Sequence, residues 1–203
     1  MSKIALAHGG TIDKFIGDAM LVFFGDPETV GEVDDAKSCL RMAIEMQHRI
    51  AGLNAEWRNA GIQDPFRIRM GINTGFCNVG NFGSNDRMDY TIIGAEANLA
   101  ARLQSIAEPG DIVVSYETYA LVRDIVVARA LTPITMKGIS REVVPYATRS
   151  VLDATGKNIE VFSEHLSGLD LYFNAGMIDA TDAEHVRNVL EDALKALSRQ
   201  ENA

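Results

Sequence analysis

The alternation of apolar and polar positions predicts a hairpin near the start of the chain. Residues 11–25 contain two β-prone runs on either side of Gly17 and Asp18, a residue pair that suits a tight turn. Lys14 then falls late in the first strand, and Asp18 lies at the turn.

Helical periodicity alternates with further strand patterns as far as residue 148. Apolar positions at helical spacing cover 34–53, with Asp34 as the N-cap, and 95–106, where Asn98, Arg102 and Ser105 share one side; a short helix follows at 116–123. Strands are predicted at 66–72, with 77–79 as its continuation or partner, and at 90–93, 111–115, 131–137 and 143–148. This interleaving predicts an α/β or α+β sheet layered with helices.

The composition changes after this region. Residues 153–158 resemble a linker, which predicts a first domain over 1–152 and a helical extension over 153–203. Residues 181–184 form a capping box, and an apolar stripe follows over 186–197. His165 and His185 fall on predicted helices without further ligand-type residues at metal spacing, so we interpret them as ordinary surface or packing histidines.

Composition and charge narrow the class of protein. The 203 residues are 47% apolar and 23% charged, which is typical of a soluble globular domain with an appendage. The net charge of -9 disfavours binding of a nucleic acid polymer. Cys39 and Cys77 indicate reduced thiols, and no apolar run reaches the roughly 18 residues of a membrane span. We expect a cytoplasmic chain that does not itself enter a membrane.

Taken one at a time, the candidate catalytic and binding residues are only weak evidence of a functional site. Lys14 and Asp18 flank a turn, where charged residues are usually solvated, and Thr91 would ordinarily be a strand residue. Asn98 and Arg102 lie four apart on a helix, a spacing that exposed helices often show.

Together, four motifs are far more specific. DKFIGDAMLVFFG begins at residue 13, RMGINTG at 69, YTIIGAEANLAARL at 90 and MKG at 136. In order and spacing they closely resemble the class III nucleotidyl cyclase domain over roughly residues 5 to 149. The resemblance implies a ferredoxin-like α+β sheet layered with helices, and ATP or GTP as the substrate.

The resemblance also implies which base is bound. Lys14 and Thr91 match the two purine-selecting positions, and guanylate cyclases of this family typically have Glu in place of Lys14. Adenine offers a ring-nitrogen acceptor to a lysine, whereas guanine has a donor there, so ATP is favoured. Thr91, in place of the aspartate of animal adenylyl cyclases, is similar to a bacterial subgroup that includes bicarbonate-responsive enzymes.

The resemblance also implies which residues contact the metal ion, the ribose and the phosphates. Asp18 matches an aspartate that holds Mg²⁺ or Mn²⁺. Asn98 matches the residue that orients the ribose, and Arg102 the one that neutralises charge on the α-phosphate. Lys137 resembles a lysine that contacts the terminal phosphates, and Arg87 is a further phosphate candidate.

The family's site lies across a head-to-tail homodimer, which the resemblance implies here too. Asp18 of one subunit would face Lys14, Thr91, Asn98, Arg102 and Lys137 of the other. One departure concerns the start of the domain, where the family has a strand that ends in a second metal-binding aspartate. Only 17 residues precede Asp18 and none forms such a segment, so we expect a domain that lacks its first strand and keeps one metal ligand of a two-metal site.

Two functions are therefore predicted as alternatives. The first is an adenylate cyclase that converts ATP to 3′,5′-cyclic AMP and pyrophosphate, present as an N-terminally incomplete catalytic domain. The second is a non-catalytic nucleotide-binding or dimerisation module, which pairs with itself or with a complete cyclase subunit. A guanylate cyclase is opposed by Lys14.

Overall fold

Helices and strands interleave along the chain, which confirms the predicted mixed α+β class. A computed structural model describes residues 1–62, 66–84, 87–136, 139–151, 161–166, 169–174, 178 and 181–200. The helices are α1 (Ser2–Ala7), α2 (Glu32–Asn59), α3 (Ala95–Ile106), α4 (Tyr116–Val122) and α5 (Asp182–Gln200). The strands are β1 (Thr11–Ile16), β2 (Ala19–Phe23), β3 (Met70–Ile72), β4 (Asn78–Ser84), β5 (Arg87–Ile93), β6 (Ile112–Val114), β7 (Val126–Ala130), β8 (Ile134–Met136), β9 (Ile139–Val143), β10 (Tyr146–Val151), β11 (Val161–Leu166) and β12 (Leu169–Asn174). The chain divides into two compact units, Met1–Asn158 and Ile159–Ala203.

A four-stranded sheet in the order β3-β6-β10-β7 forms the centre of the first unit. β3 runs parallel to β6, while β10 is antiparallel to both β6 and β7. Successive side chains of β6 point to opposite faces. Ile112 and Val114 therefore join the cluster that contains Leu40 of α2, and Val113 joins the cluster that contains Leu103 of α3. The sheet is covered by helices on both faces.

α3 lies unusually close to β3. A Cβ atom built on Gly71 would sit 2.2 Å from both the carbonyl oxygen of Ala100 and the backbone nitrogen of Gln104. Atoms without a bond between them do not approach so closely, so only glycine allows this helix to pack directly against the strand. The position of α3 over the sheet thus depends on one residue of the RMGINTG motif.

Two antiparallel hairpins complete the part of the first unit that matters for function. β1 pairs with β2 through a turn that includes Gly17, whose φ of 64° is the left-handed conformation glycine adopts without strain. β4 pairs with β5 from Asn78 opposite Ile93 to Ser84 opposite Arg87. The first hairpin confirms the prediction for residues 11–25.

The start of α2 corrects the prediction of Asp34 as an N-cap. The N-cap residue is Gly31, and Asp34 lies in the first helical turn. Asp35 accepts hydrogen bonds from Thr29 Oγ1 at 2.5 Å and from the Val30 backbone nitrogen at 3.3 Å. These bonds order the loop before the helix, and α2 begins three residues earlier than an N-cap at Asp34 would place it.

The strand predicted over 66–72 is shorter than expected. Only Met70–Ile72 forms the strand, and the backbone before it also bonds to side chains of α2, although the Ile68 carbonyl accepts from the Gly110 backbone nitrogen at 2.9 Å as well. Asn54 holds both backbone groups of Phe66 at 2.8 Å, and Gln47 Nε2 donates to the Ile68 carbonyl at 3.1 Å. The segment predicted to continue or pair with this strand belongs to β4, whose partner is β5. β7 and β9 were not predicted at all.

The second unit contains a hairpin and a helix. β11 and β12 pair from Val161 opposite Asn174 to Leu166 opposite Leu169, so the prediction that this segment is helical was wrong and His165 lies on a strand. Apolar residues at 169, 171 and 173 show the period of two that marks a strand. α5 confirms the helix predicted from the capping box. The predicted linker at 153–158 lies outside the described residues, and the boundary after 152 stays a prediction.

Over the described residues, no helix combines the length and the apolar character that crossing a bilayer would need.

Candidate active site

Lys14 and Thr91 meet at a shared carboxylate. Thr91 on β5 donates a hydrogen bond from Oγ1 to Oδ2 of Asp13 at 2.8 Å, although the two residues are 78 positions apart. Lys14 Nζ lies 3.7 Å from the other oxygen, Oδ1. The pairing of β1 with β2 shifts between Ile12 and Lys14, which leaves Asp13 as the extra residue of a bulge. Such a bulge re-aims a side chain, and this one turns the carboxylate towards β5.

A second contact ties the same hairpin to β5. The hydroxyl of Tyr90 donates to Oδ1 of Asp26, which follows β2, and the Tyr90 ring lies 6.4 Å from that of Phe23. The hydrogen bond to the Asp26 carboxylate raises the pKa of Tyr90. Two adjacent residues of β5 thus bond to the β1–β2 hairpin and its exit, which fixes Thr91 relative to Lys14.

Asp18 lies at the tip of the hairpin and is exposed. Its neighbours Phe15 and Ile16 are also largely exposed, with 63% and 61% of their surface accessible. A carboxylate at this turn is a hard oxygen ligand of the kind Mg²⁺ prefers. Among the described residues, however, no group of three or more His, Cys, Asp or Glu side chains could hold a metal ion. Asp18 fits as one ligand, but these residues do not form a complete metal site.

Asn98 and Arg102 lie one turn apart on α3, and both side chains are exposed. The residues that follow each of them, Leu99 and Leu103, are fully buried against the sheet. Because residues at i and i+4 share a helix face, the leucines hold the helix down while the amide and the guanidinium face outward together. The predicted pair is brought onto one surface.

The first turn of α3 is held by the loop after β3. Asn73 Nδ2 donates to the carbonyl oxygen of Glu96 at 3.1 Å and to its Oε2 at 2.7 Å. A Cβ on Gly75 would lie 2.6 Å from Cγ of Glu96, so the loop packs tightly against that side chain. These contacts fix the helix two residues before Asn98.

Two predicted phosphate-binding residues, Lys137 and Arg87, cannot be placed fully. Lys137 lies outside the described residues. Arg87 is the first residue of β5, and its side chain lies outside them as well. Their assignment to phosphate binding stays a prediction.

Sequence reasoning missed two of the residues that build this region, Asp13 and Asn73. Aspartate is depleted inside strands, so an aspartate between Ile12 and Lys14 was a signal that it has a specific partner. Asn73 gave no such signal, because its role depends on where α3 packs.

The chain is similar in sequence and in fold to known nucleotide cyclases. Residues 4–150 match the family model described as "Adenylate and Guanylate cyclase catalytic domain". The crystal structure of the adenylyl cyclase CyaB from P. aeruginosa is 53% identical, with a TM-score of 0.70 over 75% of this chain and 76% of that one. The guanylyl cyclase Cya2 is 33% identical, with a TM-score of 0.69 over 78% of this chain and 79% of that one.

A curated relative, "Adenylate cyclase 1" of Rhizobium meliloti, is 31% identical over 155 residues. The match covers 75% of this chain but only 23% of that protein. The family match covers most of the chain and includes all four motifs. The chain therefore belongs to the family of adenylate and guanylate cyclase catalytic domains.

Proposed function

We propose that this domain is an adenylate cyclase that converts ATP to 3′,5′-cyclic AMP and pyrophosphate for cyclic nucleotide signalling in the cytoplasm. The observation that carries the proposal is the contact of Lys14 and Thr91 with the one carboxylate of Asp13. It supports a single purine pocket formed by two residues from distant parts of the chain.

The choice of ATP rests on these residues and not on overall likeness, because the similar structures include both adenylyl and guanylyl cyclases. An ammonium group can only donate hydrogen bonds. Lys14 therefore suits the N1 acceptor of adenine and opposes the N1–H of guanine. A site built for one pattern of donors and acceptors rejects the other strongly, since a mismatch leaves polar groups unpaired.

The reaction is an attack of the ribose 3′-oxygen on the α-phosphorus. The 3′-hydroxyl loses its proton to solvent, a bond forms from the 3′-oxygen to the α-phosphorus, and the bond to the bridging oxygen breaks as pyrophosphate leaves. Asn98 orients the ribose, and Arg102 stabilises the charge that develops on the α-phosphate, for which a fixed guanidinium fork is well suited. Lys137 and Arg87 contact the outer phosphates.

Cyclases of this family use divalent metal ions. In this chain Asp18 would hold Mg²⁺ or Mn²⁺, and the ion supplies positive charge to the triphosphate. Since the described residues contain no cluster of three or more His, Cys, Asp or Glu side chains that could hold an ion, Asp18 needs further ligands to complete the site.

We propose that the active form is a head-to-tail homodimer, in which Asp18 of one subunit faces Arg102 of the other. Exposed apolar residues support a protein partner, because monomeric proteins rarely expose contiguous apolar surface without a function. Phe15 and Ile16 directly precede the turn that contains Asp18, and they are exposed, as are Phe76 before β4 and Ile93 at the end of β5. A complete cyclase subunit could occupy the same surface.

The test is cyclic AMP production from ATP with Mn²⁺, measured across protein concentration. Turnover per chain that rises with concentration and is lost in Asp18→Asn supports the proposal. ATP binding without turnover would instead favour a nucleotide-binding module. Equal turnover of GTP would refute the assignment of Lys14.

A further inference from the structure

The hydroxyl of Thr91 has one proton and two nearby acceptors. Oδ2 of Asp13 lies 2.8 Å away, whereas the carbonyl oxygen of Ile92 lies 3.5 Å away. The shorter contact is to a carboxylate, and hydrogen bonds to ionised acceptors are about twice as strong as neutral ones. A donor–acceptor distance of 3.5 Å is beyond the usual range for hydroxyl donors. The proton of Thr91 is therefore directed to Asp13.

Burial keeps that arrangement in place. The Asp13 side chain is 1% exposed and Thr91 is 6% exposed. A buried carboxylate is costly unless it accepts hydrogen bonds or lies near a positive charge. Asp13 has both, since Lys14 Nζ lies 3.7 Å from its second oxygen. The Lys14 side chain itself remains 46% exposed and so stays open to a ligand.

We propose that Asp13 is a positioning residue for base selection, which acts by making Thr91 a hydrogen-bond acceptor only. A threonine hydroxyl has one donor and two acceptor sites. Because the Thr91 hydroxyl donates its hydrogen bond to Asp13, it presents only its lone pairs to a purine. This suits the 6-amino group of adenine and repels the 6-oxygen of guanine. The inference rests on the proposed function and adds a residue to it.

The contact with Asp13 also explains how Thr91, an uncharged residue, can distinguish adenine from guanine. A threonine that can rotate freely would donate to guanine as readily as it accepts from adenine. The carboxylate beneath it removes that choice. Lys14 and Thr91 then select for adenine with opposite polarity, one as donor and one as acceptor.

The experiment compares Asp13→Asn, Thr91→Val and the double variant with the wild-type chain. For each, kcat/KM is measured for ATP and for GTP, and Kd is measured for both nucleotides. We expect Asp13→Asn to lower the ATP-to-GTP ratio about tenfold, because the amide can donate to Thr91 and free its proton; one misplaced hydrogen bond is worth about that factor. In the Thr91→Val background, Asp13→Asn should change the ratio no further.

The control is Glu28→Gln, the same carboxylate-to-amide change at an exposed position in the loop between β2 and α2. It should leave the ratio unchanged. A lower melting temperature in Asp13→Asn with an unchanged ratio would overturn the inference and leave Asp13 a structural tie between β1 and β5. A wild type that does not prefer ATP would overturn the proposed function itself.

A second measurement uses the wild-type chain, so it does not depend on how a variant folds. Purine riboside triphosphate and its 6-methoxy derivative both keep the N1 acceptor for Lys14, but only the derivative presents an acceptor at position 6. We expect the derivative to bind at least several-fold more weakly. Tighter binding would show that Thr91 donates and equal binding that it does not repel an acceptor, and either result contradicts the proposal.

Discussion

The substitution Gly71→Ala tests how α3 is positioned. The added Cβ would lie 2.2 Å from backbone atoms of Ala100 and Gln104, and neither atom can rotate away. To restore ordinary contact distances, the helix must retreat by roughly 1 Å. Overpacking of this kind costs typically 1–3 kcal/mol, and we expect the upper end, about 3 kcal/mol, because both obstructing atoms belong to the backbone.

The same movement should affect turnover. Asn98 and Arg102 are carried by α3, and a displacement of about 1 Å in a positioning element can cost roughly 10²-fold in rate. The assays are urea unfolding, followed by circular dichroism, and cyclic AMP production at a temperature where the variant is folded. A melting temperature lowered by roughly 6–12 °C corresponds to the expected loss of stability.

Gly52→Ala is the matched control. Gly52 lies inside α2, and a Cβ there would meet only the end of the Arg49 side chain at 3.8 Å. Alanine is favoured over glycine in a helix interior by about 1 kcal/mol, so this variant should be as stable as the wild type or more so. If Gly71→Ala unfolds within 0.5 kcal/mol of the wild type and keeps full activity, the close packing of α3 on β3 is refuted.

Three further outcomes follow from the site and the core. Arg102→Ala should lower kcat by about 10² to 10³-fold with an unchanged melting temperature, because the side chain is exposed; a destabilised variant would contradict this. Leu103→Ala, one residue later and fully buried, should lose about 2–5 kcal/mol of stability in urea unfolding, and a loss below 1 kcal/mol would show that α3 does not pack as described. Burial raises the pKa of the Cys39 thiol to about 12, so a disulfide reagent at pH 8 should modify Cys39 slowly until the chain is unfolded; rapid modification at Cys39 itself in the folded chain, located by mass spectrometry, would contradict the raised pKa.

Local patterns were enough to predict the elements that carry the site. The β1–β2 hairpin and α3 follow from the turn pair Gly17-Asp18 and from helical periodicity, and both were located closely. The positions of Lys14 and Asp18 within the hairpin were also predicted correctly. The family was predicted from the order and spacing of the four motifs, because periodicity alone predicts only helices and strands.

Contacts between distant segments could not be predicted. The bulge at Asp13 depends on how β1 pairs with β2 and on Thr91, which lies 78 residues away. The strand predicted over 66–72 begins only at Met70. Side chains of α2 such as Asn54 bind the backbone before it. The prediction of a helix over 161–174 was wrong because the alternation within each strand is short and the hairpin depends on the pairing of β11 with β12.

The central claim is that one active site uses Asp18 of one chain and Arg102 of another. Mixing two inactive variants, Asp18→Asn and Arg102→Ala, tests it directly. In a mixed head-to-tail dimer, one of the two sites contains only wild-type residues, so cyclic AMP production should recover to about one quarter of the wild-type rate when half of the dimers are mixed. Two variants that are each inactive and stay inactive when mixed, across a wide range of concentrations, would contradict the shared site.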